Sequence, residues 1–151
     1  MKQYCNIRGE VTIVRYKNSI PYQTIIVPNM IVQGGLKFFA ERIANHTNNY
    51  ISSINVGNNS TPPNLFQTGL VDDVFSISSQ VRFIGTTDEG GLIAETYIPT
   101  GITSNIVEIG LFDNEDTMLA RTVLEPNNRF NKIAEESISL SWHIILGGTG
   151  E

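Results

Sequence analysis

The chain has one cysteine and two histidines in 151 residues. With Cys5 alone, neither an intrachain disulfide nor a multi-cysteine metal site can form. His46 and His143 have no histidine or carboxylate at metal-ligand spacing, so no local motif predicts a metal. Charge is scarce as well: 17% of residues are charged and the net charge is −5. Lysine and arginine never cluster along the chain, so a broad phosphate-binding surface is not expected and nucleic acid is not the expected partner. No segment approaches membrane-spanning length, and the opening MKQYCNIRGE lacks the apolar run of a signal peptide. The expectation is synthesis in a cytoplasm with no membrane partner. Glycine occurs next to one helix, at Gly34-Gly35, but without a G-x-G-x-x-G frame or a Walker lysine. The glycine-rich end, Gly147 to Gly150, is followed by no helix. Neither predicts a phosphate cradle, and no cofactor is expected.

What is present is β-strand patterning. Gly9–Tyr16 and Ile20–Val27 alternate on either side of the turn-prone Lys17-Asn18-Ser19 and read as a hairpin, with Pro21 at a strand start or a sheet edge. Tyr50–Gly57 reads as a short strand with Ile54 and Val56 on one face. Val74–Gly85 reads as one strand carrying Phe75, Ile77, Val81 and Phe83 on one parity, with Ser79 among them. A turn over residues 86–91 leads into Leu92–Ile98, with Leu92, Ala94 and Ile98 on one face. Ile106–Phe112 and Met118–Leu124 read as a second hairpin about the acidic turn Asp113–Thr117. The last strand alternates most cleanly, with Ile138, Leu140, Trp142, Ile144 and Leu146 against three serines and His143.

One helix is expected, over Gly35–Ala44. Leu36, Phe39, Ala40, Ile43 and Ala44 recur at i, i+3, i+4, i+7 and i+8 and define its expected buried face. Such a helix in a β chain plugs an open end or covers a sheet edge. The sum is a mainly β, antiparallel, two-sheet β-sandwich, jelly-roll-like, of about eight strands and one short amphipathic helix. It is expected as a single domain, 1–151, with residues 1–8 as an N-terminal arm and 147–151 as a flexible C-terminal tail.

Two features stand out as candidate sites. The polar loop Asn58–Thr68, broken by Pro62-Pro63, is of a length that is usually functional or mobile. Asn58, Asn59, Thr61, Pro62, Pro63 and Phe66 are its candidate contact residues, although Phe66 could equally anchor the loop to the core. Glu108 lies between Val107 and Ile109 inside an apolar strand, where an unpaired charge is costly. It is expected either to face outward or to pair with Arg121 on the partner strand.

Reactive chemistry is sparse. Cys5 would need a base brought close by the fold, and a small buried or half-buried side chain is the plainer reading. Asp72-Asp73, Asp88-Glu89, Asp113, Glu115-Asp116 and Glu135-Glu136 fall in turns or at strand ends and read as solvated. The Asp113–Asp116 run lacks the glycine and distal glutamate of a calcium loop. No catalytic residue is assigned.

Three stretches, NMIVQGGLKFFAERIA (29–44), ISSINVGNNSTPPN (51–64) and IVEIGLFDNEDTMLARTVLEP with ESISLSWHIIL (106–126 and 136–146), together resemble a family of small bacteriophage virion proteins and tail-fibre or baseplate modules. That family has a helix after an N-terminal strand, a "vGtG-t-p" loop, an "E-I-G-L-F … L-L-A-R" hairpin and a final "W-x-I-x-I"-like strand. Here Asn59 replaces the loop's second glycine. The hairpin reads Glu108-Ile109-Gly110-Leu111-Phe112 and Met118-Leu119-Ala120-Arg121. The resemblance implies a non-enzymatic assembly protein of the virion, either capsid-decorating (a cement protein) or tail-associated. Its partners would be other virion proteins, the major capsid or a tail protein, and further copies of itself. The alternative is a receptor- or carbohydrate-binding module of a tail fibre or baseplate, using exposed aromatics such as Tyr50, Phe66 and Tyr97. A small hydrolase, the third reading, requires Cys5, His46 or His143 to meet a carboxylate in space.

Overall fold

The computed structural model describes residues 3–78, 80–85 and 90–150. In chain order its elements are β1 (Gln3–Lys17), β2 (Ile20–Pro28), β3 (Met30–Ile31), α1 (Gln33–Ile43), β4 (Ile51–Gly57), β5 (Asp73–Ser78) and β6 (Gln80–Gly85). There follow β7 (Gly90–Ile98), β8 (Ser104–Ile106), β9 (Glu108–Asp113), β10 (Met118–Val123), β11 (Phe130–Lys132) and β12 (Glu136–Gly150). Among the described residues these form two five-stranded antiparallel sheets and a two-stranded ladder. One sheet runs β2-β1-β12-β7-β6, the other β3-β10-β9-β4-β5, and β11 pairs with β8. The expected antiparallel sandwich is the observed fold.

The first hairpin forms where the alternation places it. Asn18 and Ser19 take positive φ values of 50° and 62°, the left-handed pair that matches a two-residue turn to strand twist. Pro21 and Pro28 sit on β2, at the edge of its sheet, where a missing N–H costs least. Val11, Ile13, Ile25, Ala94, Ile98, Ile138, Leu140, Trp142 and Ile144 line one wall of the main core. Ile54, Val56, Ile109, Leu111 and Leu119 line the other. Leu146 ends the apolar face of β12 half in solvent, beyond this core.

Three expectations are revised. Where described, residues 3–8 of the arm and 147–150 of the tail are strand: β1 pairs with β12 without interruption from Lys17↔Glu136 to Gln3↔Gly150. Glycines that read locally as flexible are held in extended form by a partner continuing its register. The single strand expected over Val74–Gly85 is two strands that belong to opposite sheets. This, with the very short β3, β8 and β11, accounts for the larger strand number. The facing of Phe75, Ile77, Val81 and Phe83, together with Ser79 and the turn expected over 86–91 through residue 89, lies outside the described residues.

The third revision concerns the helix, which buries Gly35, Phe38 and Phe39. Of the expected face only Phe39 is buried, while Leu36 and Ile43 are exposed. The physical reason is close backbone approach. After β3, the Val32 N–H continues the ladder onto the Leu119 carbonyl (3.1 Å), and the helix then lies along the β10 edge. A Cβ on Gly35 would stand 2.0 Å from that carbonyl oxygen, so the glycine side, not the leucine side, faces the sheet. Phe38 and Phe39, in edge-to-face contact, reach into the main core.

Candidate contact site

Every residue of β9 is buried, although a strand with one wet face would alternate. Ile109 and Leu111 point into the main core; Glu108, Gly110 and Phe112 therefore point to the opposite face of the sheet. That face is covered by the segment Asn58–Asp72, and a second, smaller apolar cluster of Val32, Phe112 and Met118, with Leu70, fills the space between.

Glu108 sits opposite Val123 and Arg121 opposite Gly110, so the two side chains meet diagonally across the hairpin. Arg121 Nη2 and Nε donate to Glu108 Oε2 at 2.7 and 2.9 Å. Both side chains are completely buried. Of the two readings of Glu108, the pairing is the observed one. A buried ion pair is sustained only when its remaining donors and acceptors are also satisfied, and here the loop satisfies them. Glu108 Oε1 accepts the Asp72 N–H (2.7 Å) and Oε2 the Val71 N–H (3.2 Å). Arg121 Nη1 donates to the Thr61 carbonyl (2.8 Å) and to Gln67 Oε1 (3.2 Å). The charge pair and the polar loop, separate features in the sequence, are one construction.

The same segment is closed at its neck by the Asn58 N–H donating to the Asp72 carbonyl (3.0 Å). Its interior turns are made by side chains: Asn59 Oδ1 accepts the Thr61 N–H, Asn64 Oδ1 the Phe66 N–H, and Gln67 Oε1 the Asn64 N–H. The Gln33 N–H, at the start of α1, donates to the Leu65 carbonyl (2.7 Å). A compact Ω-loop with adjacent ends results. Two glycines make room for it. A Cβ at Gly57 would meet both Glu108 Oε1 and the Asp72 carbonyl oxygen at 2.5 Å, and one at Gly110 would meet Leu70 at 2.9 Å.

The loop turns apolar atoms outward. Phe66 is 70% exposed, and Leu65 and Val71 are also exposed. Phe66 is thus presented to solvent, and Leu70 is the anchor. Asn58, Thr61 and Pro62 are exposed; Asn59 and Pro63 are half-buried. Leu65, inside the polar run, and Leu70, Val71 and Asp72, just beyond it, were not among the candidate contact residues because they carry no periodicity. The buried Glu108 was the available signal, since its carboxylate needed donors from somewhere.

Other titratable groups are spread over the fold. Cys5 is on β1, His46 follows α1, and His143 lies on β12 opposite Glu10 and Ile93. Two carboxylates read as solvated are in fact buried. Asp113 Oδ1 accepts the N–H groups of Glu115 and Thr117, both at 2.9 Å, and so shapes the hairpin turn. Glu136 accepts from Arg15 Nε (3.1 Å), from the Ile133 N–H (3.0 Å) and from the Tyr22 hydroxyl. Burial alone would raise the Glu136 carboxyl; the bonds from Arg15, Tyr22 and Ile133 and the Arg15 charge outweigh it and hold it below the ordinary range. Burial and the bond to Glu136 raise the Tyr22 phenol. Nearby, the buried Lys132 ammonium donates to the Ile102 and Ile133 carbonyls, and burial lowers its pKa. Asp88 and Glu89 lie outside the described residues. Among those described, no three histidine, cysteine or acidic side chains are grouped as metal ligands, and no helix is long and apolar enough to cross a membrane.

A cavity of about 280 Å³ beside the β8–β11 ladder is lined by Asn58, Asn105, Val107, Arg129, Phe130 and Asn131. Compared with protein-family models, with curated proteins and with solved structures, the chain matches none.

Proposed function

We propose that this protein is a non-enzymatic structural component of a bacteriophage virion. In this reading it is a capsid-decorating or tail-associated module that acts through protein–protein contacts in the assembled particle. The observation that carries the contact role is the Asn58–Asp72 loop: its backbone is bonded to a buried ion pair while Phe66, Leu65 and Val71 are left in solvent. A preorganised loop loses little conformational entropy on binding, so exposed apolar groups on it convert to affinity efficiently. The assignment to a virion rests on the resemblance of the helix, loop and hairpin motifs. Four of those motif residues, Gly57, Glu108, Gly110 and Arg121, meet beneath this loop.

The test is co-sedimentation of the purified protein with phage heads and, separately, with tails. Phe66→Ala is expected to weaken capture roughly tenfold or more, as for an aromatic anchor at the centre of an interface, with the fold unchanged. Capture by neither particle, or capture indifferent to Phe66, overturns the reading. A second reading, a glycan-binding module, is favoured by the amide-lined cavity. Asn58, Asn105, Asn131 and Arg129 are groups suited to a polyhydroxylated ligand, with exposed Tyr50 and Tyr97 elsewhere on the surface. Binding to a glycan array that is lost in Asn131→Ala would select it.

A further inference from the structure

β1 and β12 are paired over fifteen residues each, but their outer neighbours are shorter. β2 covers β1 only from Glu10 to Lys17, then leaves the sheet at Pro28. Gln3–Ile7 therefore has β12 on one side and, among the described residues, no strand on the other. The direction of its backbone groups follows from one bond. The Asn29 N–H donates to the Gly9 carbonyl (3.2 Å), so Gly9 turns its backbone groups away from β12. In an antiparallel strand the N–H and C=O of one residue point to the same side, and successive residues alternate. Gln3, Cys5 and Ile7 thus direct three N–H and three C=O groups to the open edge. Tyr4, Asn6 and Arg8 direct theirs to β12.

Open edges in native folds are blunted by proline, charge, bulges or a covering element. β2 carries Pro21 and Pro28, with a register irregularity facing it at Arg15/Tyr16, and the edge at β3 is continued by α1. The run Gln3-Tyr4-Cys5-Asn6-Ile7 has no proline, glycine or charge. We propose that this edge is a self-association surface, on which the same segment of a second copy adds as an antiparallel strand about a two-fold axis.

The occupant follows from symmetry. An antiparallel edge offers donors and acceptors in a pattern that a two-fold-related copy of the same edge complements. The uncharged run sets no like charges opposite one another when paired with itself. The inference is independent of the loop contact proposed above.

Amide hydrogen exchange, read residue by residue under reducing conditions alongside sedimentation equilibrium, decides it. A dimer is expected at high concentration. In it the Gln3, Cys5 and Ile7 amides exchange roughly tenfold or more slower than in the diluted monomer, while Tyr4, Asn6 and Arg8 stay protected in both states. Cys5→Pro removes one outward N–H without touching the ladder to β12, and is expected to give a folded monomer. The proposal is overturned by a protein that stays monomeric at high concentration, by an odd-numbered oligomer, or by a dimer whose three outward amides exchange freely. A Cys5→Pro variant that dimerises as well as wild type also overturns it. Should that variant fail to fold, the exchange pattern of the unmodified protein still decides.

Discussion

Among the described residues, Glu108–Arg121 is a fully buried arginine–carboxylate pair and Arg15–Glu136 a part-buried one, and they are used differently. Glu108–Arg121 is closed to solvent on both sides, and its spare bonding capacity goes to the Thr61, Val71 and Asp72 backbone and to Gln67. Arg15–Glu136 keeps its arginine 16% exposed, and its other partners are mostly side chains. Arg15 donates to Gln23 and lies 3.9 Å from the centre of the Phe130 ring, while Tyr22 donates to Glu136. The first pair positions a loop; the second joins strands that the ladder already holds. An ion pair gives little net stability once desolvation is counted, so its consequence lies in what its remaining bonds hold in place.

The comparison can be broken most severely at Glu108. Glu108→Ala leaves the Arg121 guanidinium buried without its counter-charge, and a loss of about 3–5 kcal/mol is expected in urea unfolding. A variant that melts like wild type would show that the pair is dispensable. Glu108→Leu combined with Arg121→Met should be less destabilised than the single change. It should nonetheless show faster amide exchange at Val71 and Asp72, separating the loop's positioning from stability.

Gly57→Ala comes next. Its methyl group would crowd both the Glu108 carboxylate and the Asp72 carbonyl oxygen, and a cost of about 1–3 kcal/mol is expected from overpacking. The same substitution at Gly69, where a Cβ meets nothing within 4 Å, serves as the control.

The second pair is sharpened by pH. The Glu136 carboxyl is held below its ordinary value of 4.5, so the stability it contributes is fully present above that pH. It is lost as pH falls through the depressed folded-state value. Glu136→Gln should cost on the order of 1.5–3 kcal/mol at neutral pH, the worth of hydrogen bonds to a charged group. It should also flatten the acid limb of a stability–pH curve. An unchanged acid limb would assign that limb to other carboxylates. The smallest effect is expected at Phe66: Phe66→Ala should change stability by no more than about 0.5 kcal/mol, as for an exposed site. Its consequence should appear in particle binding.

Alternation in β1, β2, β4, β7 and β12 was legible because half-buried strands repeat every two residues, and in β4, β7 and β12 the apolar parity named core side chains such as Ile54, Val56, Ala94, Ile98 and Trp142. The turn at Asn18-Ser19 was legible from residues that tolerate positive φ. The Glu108–Arg121 pair was legible as one of two readings, because a charge inside an apolar strand either turns outward or finds a partner. These are local signals, each carried within a few neighbouring residues.

The helix face, the arm and tail, and the loop's role depended on neighbours distant in sequence. The Leu36–Ile43 stripe has the spacing of a core face, but the Leu119 carbonyl admits only the side of α1 that lacks a Cβ at Gly35. Gly147 to Gly150 has no preference for extended structure, and Gln3–Asn6 supplies it through the ladder. By itself the sequence determined an antiparallel β fold, part of its main core and one charge inside an apolar strand. Only the tertiary structure decided that this charge would hold a loop beyond the sheet, because hydrogen-bond direction and close backbone approach exist only once the strands are in place.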